Sequence, residues 1–455
     1  MIVVDSKSSS RVVTSHIMVS KDLKKYFKCF SFFSKYDEEI QNSDSIINIP
    51  VLSIVLPFAW ITGSDVYVDE LDKTFTEAMF LVQNEYKKVY PKAPFKTKLV
   101  VNTLIENDYT SDETGLLFSG GLDSTYSLFS NIALNPRLIM LFGTDIPLSN
   151  IPFQDNVKTE YSNFAEREGL KINFVYTNAL EILNHGRLNH LWWNYQGRHE
   201  GDFWNGIGYS LGHIGQVAPL SIGRFKQLFF AATRTVSEKR KYPDASLIDT
   251  DEKIAWANLH VRHDGCLQRH EKVLWLRKLL MNKRIKLRVC WSDPKYLLHK
   301  GVMNCNQCEK CLRTIASLAI AKVDLGRCGF RIDDLTFNLI RFLFEHKLLT
   351  KAHLEKWWKP LQKMIPNKIE GDIHGSQKLF RWFKSKDLDL VAKPYYTKKS
   401  ILYNRFPYSI LQLISGSKIS NILKKTFFNS PAEKFPIYRP LEPLRANRLM
   451  INEVE

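Results

Sequence analysis

Apolar positions along this chain follow two rhythms, and the change from one to the other places most of the expected elements. Short continuous apolar runs stand at residues 116–118 (L-L-F), 137–142 (R-L-I-M-L-F) and 228–232, and residues 171–177 read as a further strand. Runs without polar alternation suit strands buried on both faces, as in a parallel sheet. Between them, residues 125–133 and 154–168 carry helical spacing. Strand, helix and strand within about thirty residues make a βαβ unit. Residues 111–328 are therefore expected to form an α/β domain, a doubly wound parallel sheet with helices on both faces. Ligands of such sheets lie beyond the carboxyl ends of the strands.

Residues 1–110 read as an accessory α+β region. Val, Ile and Thr dominate residues 11–19, 46–62 and 96–105, which predicts three or four strands. The uncharged run 46–64 is long enough to raise a membrane helix, but Asn48, Pro50, Pro57 and Gly63 favour two strands around a proline turn. Leu71, Phe75, Met79, Val82 and Tyr86 recur on one side of residues 69–90, predicting a helix that closes on Lys87 and Lys88 before Pro91.

Further on, residues 185–220 are dense in His, Trp, Arg and Gly. Gly206, Gly208, Gly212 and Gly215 recur beside His213 and Gln216. Such glycines permit close packing of a helix behind the sheet, which is the favoured reading, or approach of a ligand. The polar and aromatic stretch 192–202 suits a loop over a substrate. Residues 329–455 form a third region, a helical extension with one or two helices over 338–361, where Trp357 and Trp358 precede Pro360.

Composition sharpens this outline. A chain of 455 residues, 44% hydrophobic, can bury a large core and should split into two or three domains. Seven cysteines behind an apolar start too short for a signal peptide suggest reducing, cytoplasmic surroundings. The net charge is +17, and residues 331–455 supply +11 of it through 23 Lys and Arg against 12 Asp and Glu. Residues 391–450 hold 11 basic and 2 acidic residues among Tyr, Phe, Ile and Leu. Such a tail either engages an acidic partner, nucleic acid or an anionic membrane surface, or is an extension whose charges are solvated.

Two stretches carry chemistry. In residues 115–127, G-L-L-F-S-G-G-L-D-S-T-Y-S, the buried run stops at Ser119-Gly120-Gly121 and a helix begins. Glycines let the backbone approach a ligand, Asp123, Ser124 and Thr125 put oxygens in the first turn, and the helix N-terminus favours an anion such as phosphate. No lysine follows the glycines, which disfavours a kinase or GTPase loop. The second stretch is C-N-Q-C-E-K-C, Cys305, Cys308 and Cys311, with Cys290 upstream. Cysteines at two-residue spacings with a fourth nearby suit a tetrahedral structural zinc, with an iron–sulfur cluster the rival. Fourteen residues separate Cys290 from Cys305, so Cys266 and Cys328 are the reserve ligands.

The hexapeptide S-G-G-L-D-S resembles the pyrophosphate-binding (PP) loop of the ATP pyrophosphatase superfamily. Tyr242-Pro243-Asp244, His263-Asp264-Gly265 and the late cysteine cluster are similar to parts of the 7-cyano-7-deazaguanine synthases of queuosine biosynthesis, across residues 114–320. The resemblance implies an adenine nucleotide alpha hydrolase-like fold that binds ATP and Mg²⁺, plus Zn²⁺ at the cysteines. It implies an AMP-forming ligase, in which a substrate carboxylate or amide is adenylated with loss of pyrophosphate and a nitrogen or sulfur nucleophile then displaces AMP. Ser119, Gly120, Gly121, Leu122, Asp123 and Ser124 would cradle the phosphates and Gly143 and Thr144 the nucleoside. Asp123 would act in catalysis with Lys272 as a phosphate ligand, and Arg269 joins Lys272 because it lies three residues earlier on the same helix face. The extensions at both ends point away from the synthase itself and towards a relative acting on a base, sugar, peptide or protein end. Such a relative would serve a specialised modification or defence pathway, with other subunits of an operon-encoded complex as partners. A non-catalytic ATP-binding sensor or scaffold is the alternative, against which the intact S-G-G-L-D-S stands.

Overall fold

The computed structural model describes residues 1–391 apart from 42, 110, 197–201, 234, 237–247, 291–301, 333–335 and 368–375, with the backbone alone at 196, 248, 249 and 352. The basic tail, Tyr242-Pro243-Asp244 and part of the expected substrate loop thus lie outside the described residues. The chain divides into two compact units, Met1–Gln268 and Arg269–Glu455.

The apolar runs of the first unit become the centre of a mixed, mostly parallel sheet. Strands β1 (Ile2–Ser8), β2 (Val12–Val19), β3 (Ser31–Tyr36), β4 (Val66–Asp72), β5 (Leu99–Ile105), β6 (Glu113–Leu117), β7 (Arg137–Phe142), β8 (Ile172–Thr177), β9 (Phe225–Ala231), β10 (Ala255–Trp256) and β11 (Leu259–Asp264) make one sheet. Its order is β10-β11-β9-β6-β7-β8-β3-β2-β1-β4-β5. The block β11-β9-β6-β7-β8 is parallel throughout. Every residue of β7 is buried, which is why its sequence shows no alternation. From β6 the chain runs outward through β7 to β8, then returns to the other side of β6 to place β9 and β11. The crossover therefore falls between β6 and β9, and at such a switch point the carboxyl ends of neighbouring strands part to leave a crevice.

The N-terminal region continues this sheet. β3 pairs antiparallel with β8, β2 with β3 and β1 with β2, after which β4 and β5 run parallel. Asp37, just past β3, fastens the junction by accepting from the Asn173 side chain and the Phe174 N–H, each at 2.9 Å. Among its described residues the region holds five strands where three or four were expected.

Residues 46–62 correct the sequence reading. They form helix Ile49–Thr62, not two strands. Pro50 occupies the first turn, where its missing N–H costs nothing, and Pro57 is tolerated within the helix although an interior proline costs about 3 kcal/mol. Burial on all sides, from Ile49 to Ile61, outweighs the β-branched propensity that suggested strands. Gly63, at φ +66°, ends it. By length and composition Asp44–Thr62 could cross a membrane, but 94% of its apolar window is buried inside the protein. The helix expected from residue 69 begins at Lys73, because residues through Asp72 belong to β4. Asp72 caps it, accepting from the Phe75 N–H at 2.7 Å.

Against helix Ile49–Thr62 packs the glycine-rich segment, a run of helical turns from Trp204 to Ser221. A Cβ at Gly215 would press on the Ser53 side chain, so close packing explains the glycines. Gln216 is buried there, donating to Pro50 O at 3.1 Å while its side-chain oxygen accepts from the Ser34 hydroxyl at 2.6 Å.

The second unit opens with helix Arg269–Asn282 and continues through the cysteine cluster into helix Glu309–Ile320. Helices Thr336–Glu345 and Ser376–Ser385 follow, with Phe344, Trp358 and Phe383 forming an aromatic core.

Candidate nucleotide loop and metal centre

The loop Ser119–Gly120–Gly121 leaves the carboxyl end of β6, beside the crossover. Gly120 has φ +71°, and a Cβ there would collide with the Tyr161 ring. Tyr161, from helix Ile151–Arg167, also donates its hydroxyl to Gly120 O at 3.1 Å. The loop is thus held from behind by an aromatic residue with no motif of its own to mark it. Ser119 Oγ accepts from the Gly121 N–H at 3.3 Å and lies 3.3 Å from Ser124 Oγ. Ser124 donates to Gly121 O at 3.2 Å. Gly121 is the N-cap of helix Leu122–Ser130 and contributes no side chain to its first N–H groups. An uncapped first turn with the positive end of the helix dipole behind it, opening at a sheet's carboxyl edge, is built for an anion.

Asp123 sits in that first turn and is partly exposed. Leu122, by contrast, is buried, so only its backbone can serve a ligand. Gly143 ends β7 with φ +93°, where a Cβ would collide with the Thr177 carbonyl, and Thr144 beside it is buried. The loop residues and Gly143–Thr144 share the carboxyl edge because β6 and β7 are parallel neighbours. Arg269 and Lys272 belong to the second unit, where they open helix Arg269–Asn282, three residues apart and both buried.

Asp264, at the end of β11, ties that strand to the loop helix by accepting from the Ser127 hydroxyl and from Asn131 Nδ2. Its carbonyl accepts from the Ala232 N–H at 2.7 Å, which closes the ends of β9 and β11 together. His213 lies buried with Nδ1 2.6 Å from Tyr209 O, and its Nε2 has no hydrogen-bond partner among the described residues. Burial lowers its pKa, against the opposing charge of Asp145. The expected substrate loop is helical through Gln196, and Trp192 is buried against Tyr90 at a ring distance of 4.6 Å. Trp192 is therefore core.

The four cysteines converge as expected. The sulfurs of Cys290, Cys305, Cys308 and Cys311 all lie within 4.8 Å of one another. Cys290 to Cys308 and Cys305 to Cys311 measure 3.9 Å, close to the edge of about 3.8 Å that a tetrahedron with Zn–S near 2.3 Å requires. No disulfide forms among them. Backbone N–H groups point at the sulfurs: Cys308 and Gln307 donate to Cys305 Sγ at 3.2 and 3.4 Å, and Cys305 to Cys290 Sγ at 3.4 Å. The turn is closed by Asn306 at φ +58°. Hydrogen bonds from the other three thiols, Cys305 foremost, hold the Cys290 thiol well below the usual range, while burial drives Cys311 well above it. Four thiolates this close repel one another, so a divalent cation is what would let all four ionise. Asn304 braces the site, accepting from the Val289 N–H at 2.9 Å and donating to Leu287 O at 2.7 Å. The reserve ligands Cys266 and Cys328 are outside the cluster.

No protein-family model, characterised protein or solved structure matches this chain.

Proposed function

We propose that the protein is an AMP-forming adenylating enzyme of PP-loop type, related in its chemistry to 7-cyano-7-deazaguanine synthase and holding a structural zinc at its four cysteines. The observation that carries this reading is the position of S-G-G-L-D-S: it opens an uncapped helix at the crossover between β6 and β9. Backbone N–H groups from Gly121 onward receive the β- and γ-phosphates, and Ser119 and Ser124 add hydroxyls. Asp123 is the carboxylate suited to Mg²⁺, which when bound neutralises phosphate charge. Gly143 and Thr144 receive the nucleoside. A substrate carboxylate or amide oxygen attacks the α-phosphorus in line, the bond to the bridging oxygen breaks, and pyrophosphate leaves with its electron pair. A nitrogen or sulfur nucleophile then displaces AMP. In-line positioning and charge neutralisation supply the rate.

ATP–pyrophosphate exchange tests this. With pools of candidate carboxylates and amides, labelled pyrophosphate should enter ATP only when the substrate is present. Release of ADP and phosphate, in place of AMP and pyrophosphate, would overturn the reading.

A further inference from the structure

The sheet ends differently on its two sides. Next to β11 the edge strand is β10, two residues long and packed against helix Lys73–Val89. On the other side it is β5, L-V-V-N-T-L-I, which holds no charge, proline or glycine and of whose seven residues none is buried. Lys98, just before β5, turns both of its backbone groups towards β4: its O accepts from the Val66 N–H and its N–H donates to the Asp65 carboxylate, each at 2.9 Å. Backbone direction alternates along a strand, so Val100, Asn102 and Leu104 bond β4. Leu99, Val101, Thr103 and Ile105 turn N–H and C=O outward, where no strand pairs with them among the described residues. Such an edge is a template for another strand, and short length, proline or charge within the strand is what usually blunts it. β10 is short. β5 has none of these guards.

The flanks of β5 say what fits it. From Lys96 to Asp108 the chain reads K-T-K-L-V-V-N-T-L-I-E-N-D, with Lys96 and Lys98 exposed before the strand and Glu106 and Asp108 exposed after it. When a second copy is laid antiparallel about a two-fold axis at Asn102, Lys98 meets Glu106 and Lys96 meets Asp108. Between them Leu99 meets Ile105, Val100 meets Leu104 and Val101 meets Thr103. The backbone agrees with this register. Leu99 with Ile105 and Val101 with Thr103 all turn outward and become the hydrogen-bonded pairs, while Lys98, Val100, Asn102, Leu104 and Glu106 share one face at the closer, non-hydrogen-bonded positions. Moving the axis by one residue leaves Lys98 or Glu106 opposite an apolar side chain, and parallel in-register pairing sets like charges together. Within the chain Glu106 already meets Lys73, and Asp108 accepts from Asn258. Each carboxylate keeps acceptor positions for a second partner.

We propose that β5 is a homodimer interface, at which a second copy of the chain continues the sheet antiparallel about Asn102. The opposite charges at the two ends of one strand select a second copy over a strand of another protein. The pairing is independent of adenylation.

Sedimentation equilibrium of the full-length protein tests this at about 0.15 M salt, where the +17 of each chain is screened beyond about 8 Å. The wild type should show twice the chain mass of 52.9 kDa. Lys98→Glu and Glu106→Lys each set like charges opposite one another across the two-fold axis, and each alone should weaken the dimer about tenfold. Mixed in equal amounts, the two variants are complementary again and should return to the dimer mass. A wild type that stays monomeric at about 100 μM would overturn the proposal. So would a dimer that both single variants leave intact, or a mixture no more dimeric than its components. Where circular dichroism shows that either variant has not folded, Asn102→Cys decides. Residues facing each other at a non-hydrogen-bonded position have Cα atoms about 4.5 Å apart, within disulfide reach, so mild oxidation should cross-link two copies through that position. Thr103→Cys, offset from its own copy along the strand, should not cross-link. Equal cross-linking of the two, mapped by mass spectrometry, or none in Asn102→Cys, would also overturn the proposal.

Discussion

At Gly120 the sequence and the structure say the same thing for different reasons. Sequence reading marks it because two glycines follow a buried strand; the structure adds a positive φ and the Tyr161 ring behind it. Gly120→Ala should therefore cost about 1–3 kcal/mol of stability and abolish pyrophosphate exchange together. Asp123→Ala should separate the two, since Asp123 is partly exposed and is assigned to the ligand in the proposed reaction. Its urea midpoint should stay at the wild-type value while AMP formation is lost, and normal AMP formation would remove Asp123 from the mechanism. Tyr161 was illegible beforehand, because a tyrosine on an amphipathic helix has no local signature of the loop it holds, and Asp264 was marked only as part of His263-Asp264-Gly265, without its tie to the loop helix. The His263–Asp251 pair, with Nδ1 2.8 Å from the buried carboxylate, carries a pH prediction. His263 is raised from 6.5 to about 9 in the folded protein. Its contribution, at most about 3 kcal/mol, is fully present below pH about 6.5 and is lost as pH rises through about 9. Urea midpoints between pH 6 and 9.5 should fall for the wild type and fall less for His263→Gln, and parallel curves would refute the linkage.

Among the elements, the cysteine knuckle was the most legible and helix Ile49–Thr62 the least. Cys-x-x-Cys-x-x-Cys carries its geometry in its spacing, because a tight turn before a helix puts three sulfurs on one side. The fourth cysteine was uncertain on spacing alone and is brought into the cluster by the fold, with Asn304 bridging the segments of Cys290 and Cys305. Helix Ile49–Thr62 has no polar face, so periodicity had nothing to detect, and Val, Ile and Pro pointed to strands. Its neighbours, Gly212 and Gly215, held the missing information in a segment far along the chain. If the four cysteines hold zinc, elemental analysis should find about one zinc per chain. Cys308→Ser should then lose metal and melt markedly lower, because structural zinc binding is worth about 10–16 kcal/mol in small domains and is coupled to folding. A brown protein containing iron would overturn the zinc assignment. Metal retained in Cys290→Ser would remove Cys290 from the ligand set.

Across the molecule, the sequence disclosed the parallel centre of the sheet and concealed its extension. β6 to β9 each hold an unbroken apolar stretch and so announce themselves, whereas β3 is short and half polar, and its pairing with β8 is a long-range fact. The excess positive charge is a property of the whole chain that neither the loop nor the knuckle uses. It concentrates in residues 331–455, which carry +11 of the +17. If residues 391–450 recruit nucleic acid or an anionic membrane surface, affinity should come mainly from counterion release and fall steeply between about 50 and 200 mM salt. The proposed adenylation, assigned to the sheet edge, should be indifferent to that change. Truncation after Val391 separates these quantities by comparing ATP turnover with retention on DNA, RNA and anionic vesicles. A soluble truncated enzyme with normal turnover and lost retention supports a recruitment tail. Aggregation would show that Ile401, Leu402, Phe406, Ile410 and Leu413 cover apolar surface and that the tail is structural. Equal retention of both proteins at low salt would refute recruitment by these residues and move the search for the acidic partner's site to the basic residues before them.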